Sequence, residues 1–237
     1  NALSDQFSVR SFRNGKFVEA RFERGKLAKE AKGHAKDEPD GTLIRFRPDA
    51  DIFGSCSFRE DHLARRMGFY AHLNTGLEIH LNGTTYRSVR GLLDLIREEC
   101  PYEKIYEPIH FRDKMLEIAF THTNRFSEDY YSFVNGQYTA DGGTHLSAFR
   151  EGLLKGINEF AKSRFEGDDV REGLVGAVAI RLKEPVFESQ TKNKLGNTEI
   201  RAPLVNQIRD VVIDQLHRNP KKVEKLLLKI EETEKLR

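Results

Sequence analysis

The stretch Asp141-Gly-Gly-Thr-His-Leu-Ser-Ala-Phe-Arg150 decides how the second half of this chain is read. Ahead of it, Tyr130 to Asn135 is a short aromatic and β-branched run that reads as a strand, and Gly142-Gly143 breaks that strand. Thr144 is expected to cap a helix, because its hydroxyl can accept from backbone N–H groups two or three residues further on. Beyond it Leu146, Phe149, Leu153, Ile157 and Phe160 recur at steps of three and four. They form one apolar helix face, with Arg150, Glu151, Lys155 and Glu159 lying off it. A strand, a glycine break and a long amphipathic helix in series point to a mixed α/β fold.

Toward the carboxyl end, Leu174, Gly176, Val178, Ile180 and Leu182 alternate with other residues as a strand does, and Pro185 closes the run. The polar segment Phe187-Glu-Ser-Gln-Thr-Lys-Asn-Lys-Leu-Gly196 follows, with no apolar residue between Phe187 and Leu195. A lysine is a compact point charge for a phosphate, and a glutamine amide donates a directional hydrogen bond. Gln190, Lys192 and Lys194 can therefore reach an anion; the same residues equally describe a solvated surface loop. A helix with Leu204, Ile208, Val211, Val212 and Leu216 on one side comes next, stopped by Asn219-Pro220, and a last helix carries Val223, Leu226, Leu227 and Ile230.

Toward the amino end, Phe7 to Phe12 and Lys16 to Phe22 flank Asn14-Gly15, a two-residue hairpin signal. Residues 28–41 are rich in lysine, glycine and aspartate and read as a mobile connection. Thr42 to Arg47 reads as a strand and Glu60 to Leu73 as a helix. A second hairpin is expected around Asn82-Gly83, and a helix over Gly91 to Glu99 ends near Cys100-Pro101, where a domain boundary is expected. Met115 to Thr123 is the clearest alternating strand of the second domain.

The 237 residues, 38% hydrophobic and 32% charged, have the balance of a globular protein. No run approaches the ~18 apolar residues of a membrane span, and no signal peptide is visible, so a cytoplasmic location without membrane partners is expected. The cysteines Cys56 and Cys100 lack Cys-x-x-Cys spacing, and eight scattered histidines give no metal-ligand pattern. A net charge of +2 does not announce nucleic acid, so any such contact must come from local clusters.

Several motifs in series carry a resemblance: the strand ending Phe-Val-Asn135, then Asp-Gly-Gly-Thr-His145, then Asp168-Asp-Val-Arg-Glu-Gly-Leu174, then Gln190-Thr-Lys192. They resemble the transducer domain of bacterial type IIA topoisomerase B subunits, the ATPase subunits of DNA gyrase and topoisomerase IV. Asn1-Ala-Leu-Ser4 and Gly41-Thr-Leu-Ile-Arg-Phe46 are similar to late segments of the ATPase fold of the same proteins. The resemblance implies an α/β (α+β) fold. Residues 1–99 would be the C-terminal part of a GHKL (Bergerat) ATPase sandwich and 100–220 a transducer like domain 2 of ribosomal protein S5. Residues 221–237 would form an exit helix toward a cleavage-core domain.

It further implies ATP-binding roles for Thr42, at the adenine end, and for Gln190 and Lys192 at the γ-phosphate, with Lys192 also catalytic. Arg150 is implied as a contact to duplex DNA. ATP with Mg2+ is the implied cofactor. The family's general base, Mg2+-binding asparagine and glycine-rich lid have no counterpart here, so the Mg2+ ligands are expected outside this chain. The chain is expected to be an internal piece, inactive alone. The implied partners are double-stranded DNA, the cleavage-reunion (A-type) subunit and a second B-type protomer on ATP binding. The phrasing Glu184-Pro-Val-Phe-Glu-Ser-Gln190 resembles topoisomerase IV more than gyrase.

Two other readings are open. One is a non-catalytic S5-like module that binds nucleic acid or a partner, which would favour exposed aromatics among basic residues over a Gln190/Lys192 pair. The other is a MutL-type GHKL ATPase, which shares the architecture but lacks this combination of motifs.

Overall fold

The computed structural model describes residues 1–236. The chain forms two compact units, Asn1–Glu60 and Asp61–Arg237. The first is an antiparallel sheet of β1 (Ser4–Arg13), β2 (Lys16–Glu23), β3 (Lys26–His34) and β4 (Gly41–Pro48), in the order β3-β2-β1-β4, followed by the single turn α1 (Ala50–Phe53). Asn14 (φ 52) and Gly15 (φ 70) make the expected tight turn, since both positions need positive φ to match the twist of the flanking strands.

Residues 28–41 depart from expectation. Half of the supposed connection, residues 28–34, belongs to β3, which pairs with β2 from Glu23↔Lys26 to Lys16↔His34. It is an edge strand, held by backbone hydrogen bonds while most of its side chains face solvent. No apolar alternation is needed for that, and its lysines suit an unpaired edge.

The second unit runs α2 (Glu60–Leu73), β5 (Glu78–Leu81), β6 (Thr84–Arg87), α3 (Leu92–Glu99), β7 (Ile109–Arg112), β8 (Leu116–His122), β9 (Asp129–Val134), β10 (Gln137–Tyr138), α4 (Thr144–Ala161), α5 (Gly167–Arg171), β11 (Leu174–Ile180), α6 (Arg201–Arg218) and α7 (Pro220–Leu236). The hairpin β5–β6 turns at Asn82-Gly83 as expected. The main sheet has the order β10-β9-β11-β8-β7. β11 is parallel to β9 and antiparallel to β8.

Both faces of this sheet are covered, which is why β11 reads as a near-continuous apolar run. Leu174, Val178 and Ile180 join Phe149, Leu153, Ile157, Ile208 and Val212 in one core. Val175 and Ala177 join Phe69, Leu92, Leu95, Ile96 and Phe133 in the other. Three glycines allow close approach: a Cβ on Gly176 would meet Phe149 at 2.7 Å, and one on Gly152 or Gly156 would meet Ile208 or Val212 at 2.8 Å. α4 and α6 therefore lie backbone to side chain along their length.

The domain boundary expected at Cys100–Pro101 differs from the boundary between compact units at Glu60/Asp61. The apolar sides of α2 and α3 (Phe69, Leu73, Leu92, Leu95, Ile96) are buried in the core under the second sheet. α3 is tied there too, since its Leu92 N–H donates to the buried Glu117 carboxylate at 2.7 Å. Behind the other core, buried His122 donates from Nε2 to the Val170 carbonyl (2.8 Å) and lies 2.6 Å from the Tyr106 hydroxyl. Burial lowers its pKa to about 4.

Candidate functional site

Where β11 ends, the Asn135 side chain brackets Leu182. Its Oδ1 accepts from the Leu182 N–H and its Nδ2 donates to the Leu182 carbonyl, each at 2.8 Å. The chain then crosses into the polar loop, whose base is closed by an antiparallel bridge between Phe187 and Leu195. Glu188 N–H donates to Lys194 O (3.1 Å) and Gly196 N–H to Val186 O (2.8 Å). At the tip, Lys192 N–H donates to Ser189 O at 3.0 Å, and the Ser189 and Thr191 hydroxyls are 2.7 Å apart.

Lys192 sits at φ 58, a left-handed conformation that the tight tip imposes on a residue with a Cβ. Lys194 is engaged by Glu188 at 3.0 Å. Among the described residues the side chains of Gln190 and Lys192 have no hydrogen-bond or ion-pair partner, and both are exposed. An ammonium and an amide stand free on a loop whose remaining polar groups are largely satisfied.

The two segments that stand out in the sequence meet at this loop. Leu195 N–H donates to Gly142 O (3.1 Å), Thr144 N–H donates to Leu195 O (3.1 Å) and Asp141 N–H donates to Asn193 O (3.0 Å). Gly143 and Leu195 form a parallel bridge. Thr144 is thus not the cap: Gly143 holds that position, and Thr144 is the first helical residue, its hydroxyl donating to Leu195 O at 3.4 Å. The carbonyl of Leu195 takes the place that a capping interaction was expected to fill. Gly143 has φ 119 and ψ −158, and a Cβ there would collide with the Leu195 backbone, its Cα at 2.9 Å. Only glycine fits.

Next to the helix start, buried His145 lies 3.1 Å from the Thr139 hydroxyl, and burial lowers its pKa to about 4. Arg150 is on α4 with its guanidinium 4.2 Å from the Tyr130 ring centre and 3.0 Å from Glu128. Glu128 also accepts from the Tyr130 hydroxyl (2.6 Å) and faces Arg171 at 3.4 Å. Burial, then that hydrogen bond, push the Tyr130 hydroxyl pKa up. Glu151 and Glu159, the acidic neighbours on the same helix, are engaged by other cations, Lys155 and Arg201 for the former and Arg209 for the latter. In the first unit, Thr42 stands exposed on β4 opposite Ser11.

The backbone clasp and Asn197 leave no mark that sequence reasoning finds. Asn197 is 6% exposed, accepts from Val186 N–H (2.6 Å), and donates to Glu184 O (3.2 Å) and Glu199 (2.7 Å). The one hint is Leu195, the lone apolar residue at the end of a polar run, which is 1% exposed in the core.

Fold and loop together define a class: mixed α/β proteins in which a five-stranded sheet, helices on both faces, presents a free cation on a loop clasped to a helix start. Residues 89–237 match the sequence model of the family described as DNA gyrase B, and the chain belongs to that family. Over its whole length it is 44% identical to the DNA topoisomerase 4 B subunit of Borreliella burgdorferi and 34% identical to the DNA gyrase B subunit of Thermotoga maritima. It spans 40% and 42% of those proteins. Among solved structures, it is similar to the 43K ATPase domain of Thermus thermophilus gyrase B, with a TM-score of 0.80 and 27% identity over 98% of this chain and 69% of that one. The topoisomerase IV ATP-binding domain of Francisella tularensis shares the fold, with a TM-score of 0.77 at 21% identity over 98% of this chain and 69% of that one. Among the described residues no helix is long and apolar enough to cross a membrane.

Proposed function

We propose that this chain is the coupling part of a type IIA DNA topoisomerase of the B-subunit type, linking ATP binding and hydrolysis to the closing of a dimeric gate around DNA. The observation that carries the reading is the free Gln190/Lys192 pair at the tip of a loop whose base is fastened to the start of α4. A free ammonium and a free amide suit the oxygens of a terminal phosphate, and neither has to break a protein contact to reach one. ATP supplies the anhydride bond whose cleavage drives the cycle. Lys192 neutralises charge at the transferred group and Gln190 orients it, while Thr42 serves the adenine end. Loss of the phosphate contact releases the loop, so two states of the gate differ in whether Lys192 is engaged.

In this reading residues 1–99 belong to the ATPase domain, 100–220 to the transducer and 221–237 to the exit helix. Arg150 contacts duplex phosphates without reading sequence. Mg2+ is held by residues outside this chain, and the partners are duplex DNA, the A-type subunit and a second B-type protomer. The higher identity to the Borreliella topoisomerase 4 protein than to the Thermotoga gyrase protein favours the topoisomerase IV branch.

The test is DNA-stimulated ATP turnover of the full-length protein with its A-type partner. Lys192→Ala should lower turnover by about a hundredfold or more while ATP binding persists, as expected for loss of a transition-state charge partner. Lys194→Ala, which removes only the exposed pair with Glu188, should change it little. Equal and small effects of the two would make the loop a solvated surface and return the S5-like binding module as the better account.

A further inference from the structure

The loop that carries Gln190 and Lys192 is held at both ends. On one side, three backbone hydrogen bonds and a parallel bridge join Asp141 to Thr144 with Asn193 and Leu195. On the other, Asn197 commits its amide to Val186 N–H and Glu184 O, in the segment that leads into the loop. The exposed Glu188–Lys194 pair adds little rigidity, because water screens an exposed ion pair and holding two long side chains together costs entropy.

The clasped helix is itself fastened to α6. α4 sits in close contact with α6 through Gly152 and Gly156, where any Cβ would meet Ile208 or Val212. Arg150 lies on the same helix, about 9 Å beyond Thr144 at the ordinary helical rise. Its guanidinium is stacked on Tyr130 of β9 and paired with Glu128, so a shift of α4 against β9 changes this contact.

We propose that Asn197 and the Gly143–Leu195 clasp are positioning elements that make the loop, α4 and α6 one body, so that engagement of Lys192 is delivered mechanically to Arg150. The inference rests on the function proposed above and adds to it the route between its two ends. Asn197 acts by holding the segment into the loop, and Gly143 acts by letting the Leu195 backbone reach the helix start; neither touches a reacting group. The element with two states is the Arg150–Glu128–Tyr130 contact, closed as seen here and opened when α4 is drawn by the loop.

The experiment uses the full-length protein with its A-type partner, comparing Lys192→Ala, Asn197→Ala, Asn197→Asp and Gly143→Ala. ATP affinity is read with a fluorescent ATP analogue, and kcat and KM for ATP are measured with and without linear duplex DNA. Asn197→Ala is expected to leave ATP affinity near that of the parent and to lower kcat on the order of tenfold to a hundredfold, the cost of a misplaced group. The stimulation by DNA should fall toward none. Asn197→Asp, which keeps the acceptor for Val186 N–H, should recover part of it. Gly143→Ala should uncouple more completely.

If Lys192→Ala destroys turnover while Asn197→Ala and Gly143→Ala keep both kcat and DNA stimulation, the clasp is not a relay, and the reading of Lys192 stands without it. If Lys192→Ala itself is silent, the proposed function falls and the relay with it. Should a variant fail to fold, amide hydrogen exchange on the parent decides: Leu195 and Thr144 N–H protected to the same degree as the centre of α4 supports one body. Exchange of both as fast as an exposed loop amide overturns it.

Discussion

The four-stranded and five-stranded sheets of this protein obey different rules. In the second unit β8 is buried at every position and β11 at all but one, with helices on both faces. In the first unit Ile44 and Phe46 of β4 are 55% and 54% exposed although they share a strand face with Phe7, Val9 and Phe22. The second sheet has its own core, whereas the first is held mainly by its hydrogen-bonded ladders and by local contacts such as the Phe7–Phe22 edge contact at 6.1 Å. Side-chain truncation should therefore weigh heavily in one unit and lightly in the other. All seven tyrosines, Tyr70 to Tyr138, lie in the second unit, and there is no tryptophan, so tyrosine emission during urea unfolding reports on that unit alone.

The largest expected effect is Phe149→Ala. Phe149 is fully buried against Gly176, and its removal should destabilise the second unit by about 3–5 kcal/mol, seen as a lower urea midpoint of the tyrosine transition. A loss under about 1 kcal/mol would mean that the two units are less different than their burial suggests.

Acid should sharpen the contrast next. His122 and His145, both in the second unit, have folded pKa values near 4, lowered by burial from the usual 6.5. The unfolded chain takes up protons below 6.5 while the folded unit resists until about 4. Stability is therefore full above pH 6.5 and falls with pH through that window, at about 1.4 kcal/mol per pH unit per histidine. Tyrosine-detected midpoints at pH 7 and pH 5 should differ accordingly, and His122→Gln should flatten the dependence by about half. A pH-independent midpoint would count against neutral, buried histidines.

Gly152→Val should follow, costing about 1–3 kcal/mol by forcing α4 away from Ile208. The readout is again the tyrosine-detected midpoint, and no change would show slack between α4 and α6. Smallest is Ile44→Ala in the first unit, expected at under about 1 kcal/mol because the side chain is already half in water. Amide exchange along β1 and β4 is the measurement, since no tyrosine reports there. A loss of several kcal/mol would show that this face is covered in solution.

Local signals in the sequence explain much of the fold. Asn14-Gly15 and Asn82-Gly83 specify their turns because both residues tolerate positive φ, and the apolar face of α4 follows from helical period alone. β3 carries no such signal, because an edge strand satisfied by its backbone needs no apolar pattern. α2 and α3 pack under the second sheet, which their sequence does not announce: period shows that a helix has an apolar face but not which sheet will receive it.

The candidate site divides in the same way. The chemical types, a glutamine and a lysine in a polar loop and a glycine pair before a helix, are written in the residues themselves. That the Leu195 backbone closes onto Gly142 and Thr144, and that Arg150 is matched by Glu128, is decided only in three dimensions. Backbone hydrogen bonds are made by every residue type and leave no side-chain signature. A pairing between residues far apart in the chain depends on where the sheet and its helices have already placed them.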